Sequence, residues 1–285
     1  MSRTAPTPYP GAGEDHAYPT SSPVDPVFPC RTLHPLAPLF DGVATPGIWS
    51  RLESPLSAAL EELWRAVGLA PRLRPRLWTS LHYGRIALNA HSWELLRAAL
   101  KGEPPDPALV PPPDGRLSEL LERGRQLVAP WRWRRVRGRV RRGLRAASES
   151  LRRASELHPE ELDAADLARG PLDERSWTRL LQAWLGERLL GLEGNTAEES
   201  TANAVQLEQR FTRALGERLV ERGALERPAE VAYLTIEERI AAVNDPAGPW
   251  ALHLSERTAR AQGFLEVEVP EVFWGPPRVT PVRTG

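Results

Sequence analysis

Residues Arg213–Val243 read RALGERLVERGALERPAEVAYLTIEERIAAV, and this stretch decides what kind of fold the chain adopts. Apolar residues recur at helical spacing up to Gly223, and a glycine directly after such a segment favours a left-handed helix end. The apolar residues of Val231–Leu234 then predict a short extended crossing. Thr235 and Glu238 have the spacing of a capping box, in which each side chain accepts a bond from the other's backbone N–H. A second helix should therefore begin at this point.

The helical spacing of apolar residues recurs on both sides of this stretch. Apolar stripes predict further helices beginning near Ser54, Ser92, Leu117, Trp133, Trp177 and Thr196. Clean alternation at Leu265–Val269 is the other strand signal. The sequence therefore predicts a mainly α fold, an irregular multi-helix bundle with at most a small β element near the C-terminus.

The domain organisation follows from composition. Residues 1–36 are rich in Pro, Ser, Thr and Gly without periodicity, which predicts a tail that is disordered or laid over the surface. Gly102–Gly115 is a second proline-rich break, and we interpret it as a loop inside one domain. We predict a single helical domain over residues 37–275 and a flexible C-terminal tail over residues 276–285.

The charge balance and the cysteine count exclude several classes of protein. Lys plus Arg and Asp plus Glu number 37 each, which argues against a globally basic nucleic-acid binder. Cys30 is the only cysteine, so the chain has no internal disulfide, and a reducing compartment is favoured. The N-terminus lacks the pattern of a secretory signal, and no apolar run approaches the roughly 20 residues that cross a bilayer. These features predict a cytoplasmic protein without a transmembrane segment.

Motifs for nucleotide phosphates, for metal ions and for hydrolytic nucleophiles are missing from the sequence. His82 and His91 are nine residues apart, which is no recognised ligand spacing, so we predict ordinary polar or capping histidines and no metal site. Most of the ten tryptophans lie on apolar stripes and predict core packing, although a bundle with such large side chains can leave an aromatic ligand pocket. No catalytic residue is predicted.

Eight arginines and no acidic residue lie between Trp131 and Arg145. With Trp131 and Trp133 they could form a basic helix face that grips RNA, DNA or an anionic membrane surface. The alternative is that the apolar side of this helix docks on the core while the arginines form its solvated side, where several of them pair with neighbouring glutamates. Four glutamates are close in sequence, namely Glu119, Glu122, Glu149 and Glu156. Overall neutrality and the lack of a nucleic-acid motif favour this alternative.

The stretch quoted first resembles the central region of phosphoenolpyruvate synthase-like proteins, a family that includes rifampicin phosphotransferases. In that region a helix runs into Arg-Gly-x-Leu, followed by x-x-Pro-Glu-Asp-Val-Phe-Tyr-Leu-Thr-x-x-Glu-Leu. The corresponding residues here are Arg222, Gly223, Ala224, Leu225, Pro228, Val231, Tyr233, Leu234, Thr235 and Glu238. Glu230 and Ala232 depart from this pattern, because they stand where the family has Asp and Phe.

Two shorter segments are similar to the same region. Leu81–Asn89 is similar to its Tyr-Gly-Arg-x-Tyr-x-Asn element, and Phe264–Gly275 looks like the linker into the family's swivelling histidine domain. The resemblance implies a substrate-binding role for Tyr83, Arg85 and Asn89, because Tyr and Asn can orient a hydroxyl and Arg can hold an anionic group. The same three residues could instead hold a loop against the bundle.

In that family an ATP-grasp domain charges a histidine on a mobile domain, which carries the phosphoryl group to an acceptor on the central domain. The resemblance therefore implies no cofactor in this chain, with ATP and Mg²⁺ on partner subunits. Our leading hypothesis is the acceptor-substrate-binding subunit of a split phosphotransferase, working with separate ATP-grasp and phosphohistidine subunits. The alternatives are a non-catalytic small-molecule-binding or scaffold module on the same fold and, third, an Arg-rich binder of nucleic acid or a membrane surface.

Overall fold

The computed structural model describes residues 19–21, 23, 30–32, 43–69, 74–106, 116–191, 196–273 and 276–282, with the backbone alone for residues 116–127, 251 and 252. The α-helices in these ranges are α1 (Pro46–Val67), α2 (Ala90–Lys101), α3 (Arg116–Ser155), α4 (Ala164–Arg169), α5 (Glu174–Leu190), α6 (Thr196–Glu221), α7 (Ile236–Asn244) and α8 (Trp250–Leu265). Short 3-10 helices cover Pro159–Glu161 and Pro228–Tyr233. The predicted mainly α fold is confirmed.

The stretch that decides the fold behaves largely as predicted. Gly223 adopts φ 75°, and the N–H of Ala224 bonds to the carbonyl of Leu219 at 2.9 Å, so α6 ends in a left-handed turn. Thr235 and Glu238 form the predicted capping box and start α7. The predicted extended crossing at Val231–Leu234 is wrong, because Val231, Ala232 and Tyr233 all lie inside the 3-10 helix and only Leu234 is extended. Proline at its first position favours a helical turn there.

Three helix starts also differ from the prediction. The first helix begins at Pro46, about two turns before Ser54, which lies inside α1 and donates a hydrogen bond to Glu174. Asn89 caps α2 in place of Ser92, because the N–H of Ser92 donates to Asn89 Oδ1 at 2.9 Å. The segments predicted to start near Leu117 and Trp133 are one continuous helix, α3.

The β structure is wider than the sequence predicts. The strands are β1 (Cys30–Thr32), β2 (Thr79–His82), β3 (Arg85–Asn89), β4 (Val267–Glu268), β5 (Val272–Phe273) and β6 (Thr280–Pro281). One antiparallel sheet has the order β2-β3-β1-β5, and β4 pairs with β6 separately. Strands β1 and β6 belong to the two predicted tails, so parts of both tails are attached to the domain. Most other residues of those tails lie outside the described residues.

The core forms around α5, which contacts α1, α2, α3 and α6. Predicted core tryptophans are confirmed as buried at Trp49, Trp64, Trp78, Trp177 and Trp184, whereas Trp93 is half-buried. The predicted apolar stripe of α3 is confirmed where Val136, Val140 and Ala147 face the core. No helix in the described part of the chain is both long and apolar enough to span a bilayer.

Gly216 provides a test of how α6 meets the following 3-10 helix. A Cβ at this position would overlap the backbone carbonyl of Pro228, which cannot rotate away as a side chain can. We expect Gly216→Ala to lower the free energy of unfolding by about 2 kcal/mol or more. Gly263→Ala is the matched control, because its Cβ would meet nothing within 4 Å and alanine favours the helical state of α8. Urea denaturation should separate the two variants, and equal stability would contradict the close packing.

Candidate functional site

Tyr83 and Arg85 lie at the tip of the β2–β3 hairpin. Tyr83 and Gly84 adopt φ 48° and 66°, as the two central residues of a tight hairpin turn do. The turn is fixed to the body of the protein, because the N–H of Ala44 donates to the carbonyl of Gly84 at 2.9 Å. The ring of Tyr83 packs edge-to-face on Phe264 of α8, with centroids 5.6 Å apart. The ring of Tyr83 therefore has a packing role, which is separate from the predicted role of its hydroxyl in binding a substrate.

Asn89 lies at the other end of β3, about 13 Å along the strand from Arg85. Its Oδ1 is engaged as the cap of α2, and its side chain is 3% exposed. The structure thus brings Tyr83 and Arg85 together, and it separates Asn89 from them. A single substrate would have to extend along the whole of β3 to touch all three.

Asn89 belongs to a set of buried donors that sequence reasoning missed. Of the eleven buried side-chain atoms that have no hydrogen-bond partner among the described residues, four lie in this region: Trp64 Nε1, Trp78 Nε1, Asn89 Nδ2 and Ser92 Oγ. Their residues are linked by direct contacts. Trp64 and Trp78 pack edge-to-face at 5.6 Å, and the carbonyl of Trp78 accepts from the N–H of Asn89 at 2.9 Å. Unpaired buried donors are costly, so this region suits an oxygen-bearing guest or internal water.

His82 lies at the centre of a polar chain inside the small sheet. Its Nδ1 is 2.6 Å from Ser21 Oγ, and its Nε2 is 2.9 Å from Ser80 Oγ. The imidazole is fully buried beside Phe273, with ring centroids 5.0 Å apart. Burial lowers the pKa of His82 to about 4, so the ring is neutral at pH 7. The described residues contain no group of three or more His, Cys, Asp or Glu placed to hold a metal ion.

A charged cluster that the sequence did not predict joins α1, α6 and α7. Glu208 Oε1 lies 3.3 Å from Arg51 Nη2 and 3.5 Å from Arg239 Nη1. Arg239 also donates to Thr212 Oγ1 at 3.2 Å and to the carbonyl of Val231 at 3.3 Å. Burial lowers the pKa of Arg239 to about 10, against the opposing effect of Glu208. The cluster buries two cations with one anion, and it is packed rather than open to a ligand.

The arginine-rich segment of α3 forms an exposed surface. We define the basic face as Trp131, Arg134, Arg135, Arg141, Arg142 and Arg145, which are all exposed. Trp131 is 59% exposed even with the Arg135 guanidinium 5.2 Å from its ring centroid. The helix turns these residues to one side, because they recur at intervals of three, four and seven. The buried Val136 and Val140 lie on the opposite side.

The predicted pairing of these arginines with glutamates is wrong where the structure can test it. Glu149 bonds to Arg152 and Arg153, and Glu156 bonds to Arg152. Within the described part of the chain, no arginine between Trp131 and Arg145 forms an ion pair. The side chains of Glu119 and Glu122 lie outside the described residues. The basic face therefore keeps its positive charge.

A groove runs beside the basic face, between the end of α2 and the middle of α3. Its volume is about 460 Å³, within the usual range for small-molecule sites. Leu100, Lys101, Pro130 and Trp133 are among its lining residues. The guanidinium of Arg137 stacks on Trp133 at 4.7 Å from the ring centroid. The groove thus combines an aromatic wall with two lining residues of opposite charge, Lys101 and Glu103.

The buried neutral His82 makes stability depend on pH. Its pKa is about 4 in the folded protein and about 6.5 in the unfolded chain, so folding loses stability as pH falls from 6.5 towards 4. Between pH 7 and pH 5 we expect a loss of about 2 kcal/mol in the free energy of unfolding. The His82→Gln variant should not show this loss. Carboxylates titrate in both proteins, so the difference between the two pH dependences reports on His82. Parallel pH dependences in urea denaturation would contradict the assignment.

The Glu208 cluster gives a second stability prediction. Glu208→Gln leaves Arg51 and Arg239 buried without their anion, so we expect a loss of about 3–5 kcal/mol. Glu217→Gln is the control on the same helix, because Glu217 pairs with Arg213 at an exposed position and should change stability by less than about 1 kcal/mol. Thermal and urea denaturation measure both, and similar values would show that the buried cluster is unimportant.

Searches against protein-family models, curated proteins and solved structures found no match to this chain. The likeness to phosphoenolpyruvate synthase-like proteins therefore rests on the residues of the three segments themselves. The arrangement of those segments in space is therefore the main structural observation that bears on this likeness.

Proposed function

We propose that this chain is the acceptor-substrate-binding unit of a phosphotransferase of the phosphoenolpyruvate synthase or rifampicin phosphotransferase type. In this proposal the ATP-grasp and phosphohistidine parts lie outside these 285 residues, on separate partner chains. ATP and Mg²⁺ bind to those partners, and this chain positions the acceptor. Its own residues take no covalent part in the transfer.

The observation that carries the proposal is that the three resembling segments meet in one unit, although the second lies more than 100 residues before the other two. Tyr83 of the second segment packs on Phe264 of the third, and His82 packs on Phe273 of the third. Arg257 of α8 links this unit to the first segment, because it donates to the carbonyl of Tyr233 and to Glu238 at 2.8 Å and 2.6 Å. The contacts therefore join all three segments, as a likeness over one whole region requires.

The buried donors near Asn89 offer chemistry that suits an acceptor. The Asn89 amide, the Ser92 hydroxyl and the Trp78 indole are donors without partners among the described residues. Donors of this kind recognise carbonyl or hydroxyl oxygens of a substrate. Access to them requires the β2–β3 hairpin or the start of α2 to move, because these residues are less than a tenth exposed.

Reconstitution tests the proposal directly. Tagged protein purified from its native host should retain one chain with an ATP-grasp sequence and one with a phosphohistidine sequence, identified by mass spectrometry. Adding ATP labelled at the β-phosphate should then label a small molecule only when all three chains are present. Failure to recover such chains, together with no labelled acceptor, would overturn the proposal.

Three variants test the acceptor site while sparing the packing roles of the same residues. Tyr83→Phe keeps the contact with Phe264, Arg85→Gln keeps the strand, and Asn89→Asp keeps an oxygen that caps α2. Calorimetric titration with pyruvate and with rifampicin should show at least tenfold weaker binding for a variant whose lost group contacts the acceptor. Arg169→Gln is the control at an exposed, distant helix end. Unchanged binding in all three variants would remove these residues from the site.

The groove between α2 and α3 supports the second candidate, a non-catalytic small-molecule-binding module on the same fold. The indole of Trp133 in the wall of the groove favours a flat aromatic ligand there. Trp133→Leu would abolish binding of such a ligand, whereas Tyr83→Phe would leave it unchanged. The opposite pattern favours the acceptor site near the hairpin.

A further inference from the structure

The basic face of α3 carries an unbalanced positive charge on a chain whose formal net charge is zero. Five exposed arginines, defined above, follow one side of the helix from Arg134 to Arg145. No acidic side chain of the described residues is paired with them, and the nearby Glu149 is engaged by Arg152 and Arg153. Such a row of guanidinium groups is either solvated by water or bound by an anionic partner. The geometry of the row decides which partner fits.

The row follows one continuous helix, α3. From Trp131 to Arg145 it spans about 21 Å of a helix whose other side is fixed to the core by Val136 and Val140. Arginine guanidiniums bind phosphate oxygens in a bidentate manner, so a row of them matches a chain of phosphates better than a single phosphate. The arrangement therefore suits an extended polyanion.

Trp131 adds a second kind of contact. Its ring is 59% exposed and lies in the same row as the arginines. An exposed aromatic ring beside a basic track is how proteins bind single strands, because an unpaired base stacks on the ring while its phosphates meet the cations. A base inside a duplex is already stacked and is not free to do this.

A membrane surface fits the same face less well. Amphipathic helices bind membranes by burying an apolar side in the lipid. In the part of α3 whose side chains the structure describes, the apolar residues Val136, Val140 and Ala147 are already buried in the protein core. Among the described side chains at this end of the helix, Trp131 and Val128 are the exposed large apolar ones. Charge alone would then have to provide the attraction.

We propose that the basic face of α3 is a binding site for single-stranded nucleic acid, with the arginines contacting phosphates and Trp131 stacking on a base. The site is independent of the acceptor-binding role proposed above, because it shares none of Tyr83, Arg85 and Asn89. It is sequence-tolerant, since neither an Arg–phosphate contact nor a stacking contact reads base identity.

Fluorescence anisotropy with labelled oligothymidylate and the full chain tests this site. Affinity should fall steeply between about 50 mM and 200 mM NaCl, with a slope of roughly 0.7 per phosphate contact. Changing four arginines to Gln should weaken binding at least tenfold and reduce the slope by about 3. The four positions are Arg134, Arg135, Arg141 and Arg142. A matched control removes the same charge from four exposed arginines elsewhere, namely Arg65, Arg169, Arg210 and Arg213.

Trp131 gives the more specific readout. Trp131→Ala should weaken binding about tenfold without changing the salt slope, and Trp131→Phe should restore part of the loss. Circular dichroism and thermal unfolding verify that each variant is folded, which is expected because all the changed side chains are exposed. Binding that survives the arginine changes, or that the control weakens equally, would overturn the proposal.

Three competitors distinguish the chemistry of the partner. Unlabelled single strands should displace the probe, and duplex DNA of the same length should do so at least tenfold less well. Poly-glutamate and vesicles with anionic lipid should not displace it at matched charge concentration. Equal competition by duplex, by poly-glutamate or by vesicles would mean that the face recognises negative charge alone, and the single-strand proposal would be wrong.

Discussion

The attraction between Glu208 and the guanidiniums of Arg51 and Arg239 holds together three helices that are distant in the sequence. Both arginines and the carboxylate are at least nine-tenths buried, so water screens their interaction little. The main chain comes very close to the cluster, since a Cβ on Gly170 would lie 2.5 Å from Arg51 Nη2. Removing the anion would leave two buried positive charges, and the packing of α1 against α6 and α7 could not survive unchanged.

This cluster also explains what the opening stretch of sequence does in the structure. Gly216 lets α6 approach Pro228, the capping box at Thr235 fixes the start of α7, and Arg239 then enters the core one turn later. Each feature is a packing or capping device, and none faces an open cavity. A sequence pattern made of packing and capping residues can be retained when the catalytic function of a protein changes, because the fold itself requires those residues.

Features that depend on neighbouring residues could be predicted from the sequence, and features that depend on distant partners could not. The left-handed turn at Gly223 and the box at Thr235 involve residues within five positions of each other. The Arg51–Glu208 pair joins residues 157 positions apart, and no local pattern marks it. The same reason explains the misassigned cap of α2, since both Asn89 and Ser92 have side chains that can cap a helix. At the candidate site, Tyr83 and Arg85 could be chosen from a motif, whereas the unpaired donors near Asn89 become visible only in the packed protein.

The basic face has an electrical consequence for the whole molecule. Because positive and negative residues balance over the chain, the charge gathered on α3 is offset by acidic residues elsewhere, so the charge of the molecule is unevenly distributed. Such a molecule orients itself as it approaches a charged object even when its total charge is zero. An isoelectric point near 7.1 therefore does not predict how the protein behaves in ion exchange. At that pH we expect a cation-exchange resin to bind the protein through the basic face.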